Sequence, residues 1–260
     1  MGGTTRRDYV MIIFRLLKKL LIVALITLFA TSAAQADFLG VYVGAGVWGQ
    51  DFAGSAVSDV SIEDQLGLAD NSGVQAYFRF EHPVPTLPNI RIARSDIEDA
   101  GVGVLTSPFE FGGDAFVPGQ SVTTTVDMTH TDVTLYYELV DLAFDLDLGL
   151  TARVLDSQLT IDGVTEEENA VLPMLYAAGK VGLPFSGFYL AGDINGLGFN
   201  GASVMDYAVK IGWEIENFIL PEFGVEAGFR RFAIDAGGDD LDFVIDMDVE
   251  GVFFNITGHF

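Results

Sequence analysis

Alternation of apolar and polar residues at successive positions is the feature that most constrains this chain. In the segment 73–82, Val74, Ala76 and Phe78 occupy every second position, with Gln75 and Arg79 on the other parity. Successive side chains of a β-strand point to opposite faces, so the pattern predicts strands. Ten such segments occur, at about 38–51, 73–82, 89–105, 121–139, 144–160, 171–183, 187–198, 203–216, 222–235 and 241–260.

The joins between these segments predict how the strands are arranged. Short joins at 83–88, 140–143, 184–186 and 217–221 alternate with longer polar joins at 52–72, 106–120, 161–170, 199–202 and 236–240. Short periplasmic turns and longer extracellular loops are typical of outer-membrane barrels. The sequence therefore predicts an all-β fold, an up-and-down antiparallel transmembrane β-barrel of ten strands, with eight or twelve strands as alternatives. A soluble β-sandwich or soluble barrel is the competing architecture.

Residues 1–36 have the composition of a cleavable secretory signal peptide. Arg15, Lys18 and Lys19 precede the apolar run 20–30, and small residues at Ala34 and Ala36 fit a cleavage site before Asp37. The apolar run is shorter than the about 20 residues that a membrane-spanning helix needs. We expect export, with the barrel formed by residues 37–260, and Met11 is an alternative start.

Charge and cysteine content exclude several classes of function. Residues 37–260 hold 8 basic and 36 acidic residues, a net charge of −28, after the five basic residues and one acid of segment 1–36 are subtracted from 13 and 37. Nucleic-acid binding requires a basic face, so it is excluded. The lack of cysteine excludes disulfides and thiol chemistry. The partners we expect are outer-membrane lipid, lipopolysaccharide and the barrel assembly machinery, and the barrel should be a monomer.

Charges on the polar parity of the strands predict a network inside the barrel. A narrow ten-stranded barrel is largely filled by its own side chains, and buried charges are tolerated when they are paired. We therefore predict a plugged lumen near charge balance. Its members are Arg79, Glu81, Arg91, Glu138, Asp145, Asp147, Arg153, Lys180, Asp193, Lys210, Glu214, Glu226 and Arg230.

The last hairpin is a candidate for weak metal binding. Asp235, Asp239, Asp240 and Asp242 surround a pair of glycines, and carboxylate oxygens are the ligands of Ca²⁺ and Mg²⁺. The spacing of an EF-hand is missing, so a solvated turn is the alternative. No other cofactor is expected.

The closing strand carries a candidate assembly signal. Phe254, Ile256 and the last residue, Phe260, fall on one parity. An unpaired final strand would leave an open edge in lipid, so we expect these residues to direct insertion. Trp48 and Trp213 fit interfacial positions.

Slips of the apolar parity in two strands predict β-bulges. They fall near Thr129 to Asp132, and near Glu250 and Gly251.

His130 and Asp132 could act as a base and the group that orients it. They are two positions apart, hence on one face of a strand. A membrane-embedded hydrolase is therefore one reading, but neither a serine elbow nor a second carboxylate pair accompanies them. A polar packing role is the simpler reading, and we expect no enzyme activity.

Three stretches carry a resemblance to known proteins. The stretches 81–91 (EHPVPTLPNIR), 130–138 (HTDVTLYYE) and 147–153 (DLGLTAR), with Phe260 at the end, resemble a group of proteobacterial outer-membrane β-barrel proteins without an established activity. The resemblance covers the whole of 37–260. It implies location and fold, and carries over no functional residues.

Two functions remain from the sequence besides the hydrolase. The first is a structural or surface-interaction role for a plugged barrel that presents acidic loops. The alternative is a narrow channel for small solutes, in which Arg79, Arg91, Arg153 and Arg230 face carboxylates and act as the filter.

Overall fold

The structure is a computed structural model that describes residues 39–56, 60–141, 144–184, 186–199, 202–215, 221–236 and 245–260. These residues form fifteen β-strands. The strands are β1 (Gly40–Ala56), β2 (Val60–Ser61), β3 (Asp70–Glu81), β4 (Asn89–Ser95), β5 (Glu98–Val104), β6 (Phe109–Phe111), β7 (Asp114–Phe116), β8 (Ser121–Asp127), β9 (His130–Asp141), β10 (Asp145–Ile161), β11 (Val164–Gly182), β12 (Phe188–Phe199), β13 (Ala202–Glu214), β14 (Glu222–Ala236) and β15 (Ile245–His259). Within the described ranges, no helix is long and apolar enough to cross a membrane. The predicted signal peptide lies outside the described residues.

Ten of the strands close into a barrel, which confirms the predicted fold. Their order around the wall is β1, β3, β4, β9, β10, β11, β12, β13, β14 and β15, and each pairs antiparallel with the next. β15 pairs with β1, and the backbones of Val41 and Phe260 exchange two hydrogen bonds at the seam. We call the end with Gly40 and His259 the terminal end, and the opposite end the loop end.

The outer surface of the barrel carries a belt of exposed apolar side chains. Members of the belt include Val47, Phe78, Ile92, Leu135, Leu150, Leu175, Ile194, Val209, Trp213, Val225, Phe254 and Ile256. Closer to the loop end than this belt, the outward faces carry charged residues. One example is Arg231 on β14, which forms an ion pair with Asp248 on β15 at 2.8 Å. An apolar outer belt around a closed barrel with a charged interior is typical of a transmembrane β-barrel.

The loop end extends well beyond this belt. β10 and β11 are 17 and 19 residues long and are joined by Asp162 and Gly163, whose φ angles are 49° and 84°. Positive φ at both positions of a two-residue turn continues the pairing of two antiparallel strands. The prediction of a loop over 161–170 is therefore wrong, because the Asp-Gly pair makes a tight turn.

The long hairpin 89–141 keeps one register through its interruptions. Ser95 pairs with His130 between β4 and β9, and Glu98 pairs with Asp127 between β5 and β8, so both sides advance by three residues. The small hairpin of β6 and β7 lies at its tip.

The interior at the loop end is an apolar core. It includes Phe52, Ile97, Leu105, Val122, Ile161, Phe232, Met247 and Val249. The first long connection folds inward to complete this core, since Val60, Ile62, Leu66 and Leu68 are buried. Its backbone passes so close to β5 that a Cβ on Gly67 would lie 2.5 Å from the carbonyl carbon of Val102. Part of the longer polar join predicted at 52–72 is thus an inner plug, with Glu63 and Asp64 exposed on its surface.

Neither predicted bulge is present, although the parity slips are real. In β15, Met247, Val249, Phe253 and Asn255 all face inward, and the register with β1 and β14 is constant. Apolar residues change faces because the interior becomes apolar toward the loop end while the exterior passes from lipid to water. In the same way, Val126 and Met128 share the inward parity of His130 and Asp132. The observed register shift lies between β9 and β10, at Leu146 and Asp147.

Candidate functional site: the charged lumen

Two arginines and two aspartates form a layer across the middle of the lumen. Arg153 donates two hydrogen bonds of 2.8 Å to Asp132 and one of 2.6 Å to Asp206. Arg230 donates two more to Asp206, at 2.8 Å and 2.7 Å. Bidentate guanidinium–carboxylate pairs are among the strongest side-chain interactions, so this layer is held rigidly. We call Asp132, Arg153, Asp206 and Arg230 the salt-bridge layer.

Aromatic side chains seal the loop side of this layer. The guanidinium of Arg230 lies 4.6 Å from the ring centroid of Trp48, and that of Arg153 lies 5.3 Å from the ring of Phe232. Trp48, Phe232 and Arg153 are each 0% exposed. The prediction that Trp48 is interfacial is wrong, because its even parity on β1 points inward. Trp213 does lie on the outer surface, 40% exposed.

His130 and Asp132 lie on one face, as expected, but they do not form a catalytic pair. The carboxylate of Asp132 is held by Arg153, and His130 Nδ1 lies 3.1 Å from the Met128 carbonyl oxygen. His130, Asp132 and Asp206 are close enough to share a metal ion. However, Asp132 already accepts hydrogen bonds from Arg153, and Asp206 accepts them from Arg153 and Arg230. These guanidinium groups neutralise the negative charge that would attract a cation.

Below the salt-bridge layer, polar side chains connect neighbouring strands. Lys210 lies 2.8 Å from Glu226, which also accepts hydrogen bonds from Tyr189 and Asn255. On the other side, the hydroxyls of Thr134 and Thr151 are 2.7 Å apart. Glu226, Asn255, Thr134 and Thr151 are buried, and their hydrogen bonds satisfy them as buried polar groups require.

Near the terminal end, charged pairs are joined by tyrosines. Arg79 lies 3.2 Å from Glu81 and 3.7 Å from Asp147, and the Tyr136 hydroxyl donates a 2.7 Å hydrogen bond to Glu81. Lys180 pairs with Glu214 at 3.3 Å and lies over the ring of Tyr189. Glu138 and Asp145 line a cavity at this end of the lumen. All thirteen residues of the predicted network therefore face the lumen.

A cavity of about 320 Å³ opens between these pairs at the terminal end. Arg91 and Asp193 line both this vestibule and a smaller cavity of about 50 Å³ beside the salt-bridge layer. Among the described residues, no carboxylate lies within ion-pair distance of Arg91, whose guanidinium is 5.7 Å from the ring of Tyr77. The smaller cavity, and not the vestibule, is lined by Asp132, Asp206 and Arg230 of the salt-bridge layer.

The three stretches 81–91, 130–138 and 147–153 meet inside the barrel. Tyr136 of the 130–138 stretch bonds Glu81 of the 81–91 stretch, and Asp132 holds Arg153 of the third stretch. At the terminal end, His82 accepts a backbone hydrogen bond from Val84 and donates one to Asn89 through its own amide. The motifs thus specify the lumen and one turn.

Sequence reasoning missed the centre of the network. Asp206, which binds both arginines, was not among the predicted lumen residues, although it lies on the polar parity of its strand. Asp132 is predicted only as the group that could orient His130, and not as a member of the lumen network. Together with the seven predicted acids they make nine, against six basic residues, so these lumen residues carry a net negative charge. The inward tyrosines were missed because aromatic residues also occur on the lipid face.

Two other groups of predicted residues lie outside the lumen network or outside the described residues. Asp235 is exposed and pairs in register with Asp246, whereas Asp239, Asp240 and Asp242 lie outside the described residues. Phe254, Ile256 and Phe260 are exposed on the outer surface, as an assembly signal requires.

No family model matches the chain, and no curated protein matches it. Among solved structures, similar ones are a deltaS2S3 mutant of the TodX monoaromatic hydrocarbon channel and the P. putida toluene transporter TodX. They share 8% and 9% identity, with TM-scores of 0.31 and 0.30. The alignments cover 86% and 90% of this chain and 91% of each of those chains. Likeness at this level does not extend to substrate or mechanism.

Proposed function

We propose that this protein is an integral outer-membrane barrel with a closed lumen, which serves a structural or surface-interaction role. In this proposal the terminal end faces the periplasm and the acidic loop end faces the cell exterior. The predicted signal peptide and the extension of the loop end beyond the apolar belt support this orientation. No catalytic group or cofactor is part of the proposal.

The salt-bridge layer is the observation that carries the closed lumen. It spans the interior at mid-height, and the apolar core with its inserted first connection lies above it. An ion or sugar crossing the barrel would have to break several buried charge pairs and then enter an apolar region, and both steps are costly.

Single-channel recording in planar bilayers tests this function. The folded barrel should give no stepwise conductance, and vesicles that contain it should not swell in small sugars. As a positive control, a general diffusion porin reconstituted in the same way should conduct. Heat-modifiable gel migration would verify that both barrels are folded. Regular conductance steps from the unaltered protein would refute the closed lumen.

A narrow channel for small solutes is the second candidate, and the vestibule favours it. Its walls are polar and charged, and Arg91 faces it without a paired carboxylate within the described part of the chain. A channel would require the plug to move. If the unaltered protein conducts, Arg91→Met should change its ion selectivity, whereas the exposed Arg94→Met should not.

A further inference from the structure

An apolar cavity of about 470 Å³ lies at the loop end, on the other side of the plug from the vestibule. Its floor is formed by Ile62, Leu66 and Leu68 of the inserted connection, together with Met128, Leu159 and Met247. Cavities of about 300–1,000 Å³ are the size that small organic ligands occupy. Apolar side chains that line an open cavity lose water when a ligand enters, which favours binding of an apolar group.

Carboxylates stand at the mouth of this cavity. Glu166 and Glu168 share the face of β11 that carries the buried Met174 and Tyr176, so they point toward the interior side. Glu110, from the β6–β7 hairpin, lies across from them, and the position of a Cβ on Gly112 would be 3.2 Å from Glu166 Oε1. Glu167 faces the other way and accepts a hydrogen bond from Gln158 at 3.1 Å.

The charge around the cavity has a single sign. Its acidic lining residues besides Glu167 are Glu110, Asp127, Glu166 and Glu168, and the described lining contains no lysine, arginine or histidine. An anion would therefore meet uncompensated negative charge. A cation at the mouth would be attracted, and more strongly than in open solvent because one wall is apolar.

We propose that this cavity binds an amphiphilic cation, a small molecule with an apolar body and a single ammonium group. The apolar body lies against Leu66, Leu68 and Leu159, and the ammonium group lies between Glu110, Glu166 and Glu168. This site goes beyond the proposed function and is independent of it, because ligand entry from the loop end does not require an open lumen.

Three probes that share one apolar body distinguish the contribution of charge to binding from the contribution of the hydrophobic effect. They are 4-phenylbutylamine, 4-phenylbutanol and 4-phenylbutyrate, titrated calorimetrically into the full-length barrel in phosphatidylcholine nanodiscs. Heats from empty nanodiscs correct for partition into lipid. The amine should bind saturably, at least about tenfold more tightly than the alcohol, and the butyrate should not bind.

Two variants and one control locate the site. Leu159→Trp should fill the cavity and weaken amine binding by at least about tenfold. The triple variant Glu110→Gln, Glu166→Gln and Glu168→Gln should lower the amine affinity to that of the alcohol. Glu63→Gln with Asp64→Asn removes two exposed acids of the same end that do not line the cavity, and should change nothing.

Heat-modifiable migration would confirm that each variant is folded. Equal affinities for the three probes would overturn the charge recognition. Amine binding that survives Leu159→Trp, or no saturable binding at all, would overturn the site.

Discussion

Arg153 on β10 donates a 2.6 Å hydrogen bond to Asp206 on β13, although β11 and β12 separate these strands in the barrel wall. The contact therefore crosses the interior. Asp206 also binds Arg230 on the adjacent β14, and Arg153 also binds Asp132 on the adjacent β9. The side chains of the salt-bridge layer therefore connect opposite walls of the barrel. The same side chains also close the lumen.

Removing Arg153 should destabilise the barrel strongly. Arg153→Met leaves Asp132 without its guanidinium in a buried site, and breaking a buried ion pair costs about 3–5 kcal/mol. The measurement is the free energy of unfolding from urea titrations in liposomes. Arg94→Met is the matched control, because Arg94 is 62% exposed beside Asp96 and should lose less than about 1 kcal/mol. Equal losses from both variants would show that the layer is hydrated.

The connection that plugs the loop end should depend on one glycine. Gly67 has a φ of 75°, and a Cβ there would meet the backbone of Val102 at 2.5 Å. Gly67→Val should therefore unseat the connection without opening the barrel, and protease should cut between 57 and 69. Gly113 has a φ of 85° with nothing within 4 Å of its Cβ position. Gly113→Val carries the same backbone strain without the clash, so it should leave 57–69 protected; cleavage there in both variants would contradict the clash.

Alternation in the sequence predicted the ten strands, because lipid outside and polar groups inside impose a two-residue period. The same rule failed above the belt. In β15, Val252 and Phe254 face outward, whereas Met247 and Val249 face inward. Period alone does not reveal which side is apolar, and the sequence contains no direct signal of where lipid ends. A change of apolar parity without a change of register is therefore the mark of a barrel that projects beyond the bilayer.

Phe260 should contribute to assembly through its backbone as well as its ring. Its amide and carbonyl both pair with Val41, and they extend the seam between the first and last barrel strands. Deleting Phe260 should sharply lower the fraction that folds into liposomes, measured by heat-modifiable migration, because an open edge in lipid leaves polar groups unpaired. Phe260→Tyr keeps the backbone and an aromatic ring and should fold normally. Unchanged folding after the deletion would exclude this role.

Weak cation binding at the last hairpin remains a prediction. Asp235 and Asp246 are exposed and opposite each other in the β14–β15 register, so a cation would relieve their repulsion. We expect millimolar Ca²⁺ or Mg²⁺ affinity, as in extracellular oxygen sites. Calorimetric titration should show this heat, and asparagine at Asp235, Asp239, Asp240 and Asp242 should abolish it. Identical heats from both proteins would leave the hairpin as a solvated turn.

Thirteen lumen residues could be predicted from parity, but Asp206 and Asp132 were missed and the pairing could not be predicted. Parity places Arg153 and Arg230 inside, because each is on the polar face of its strand. Which carboxylate each arginine meets depends on strand stagger across the barrel, and Arg153 and Asp206 are 53 residues apart in sequence. The apolar cavity at the loop end depends on the fold of the first connection, which has no alternating pattern.

The outer belt should respond to charge according to its depth. Leu175 on β11 is 70% exposed within the belt, and Asn169 lies on the same face toward the loop end, beyond the apolar residues. An arginine on the lipid face costs about 2–4 kcal/mol near the bilayer midplane and about 0–1 near the interface. Leu175→Arg should therefore lower the free energy of unfolding in liposomes by this larger amount, and Asn169→Arg should leave it nearly unchanged. Because both variants add one charge to the same strand, only their positions relative to lipid differ, and equal effects would contradict a bilayer around the belt.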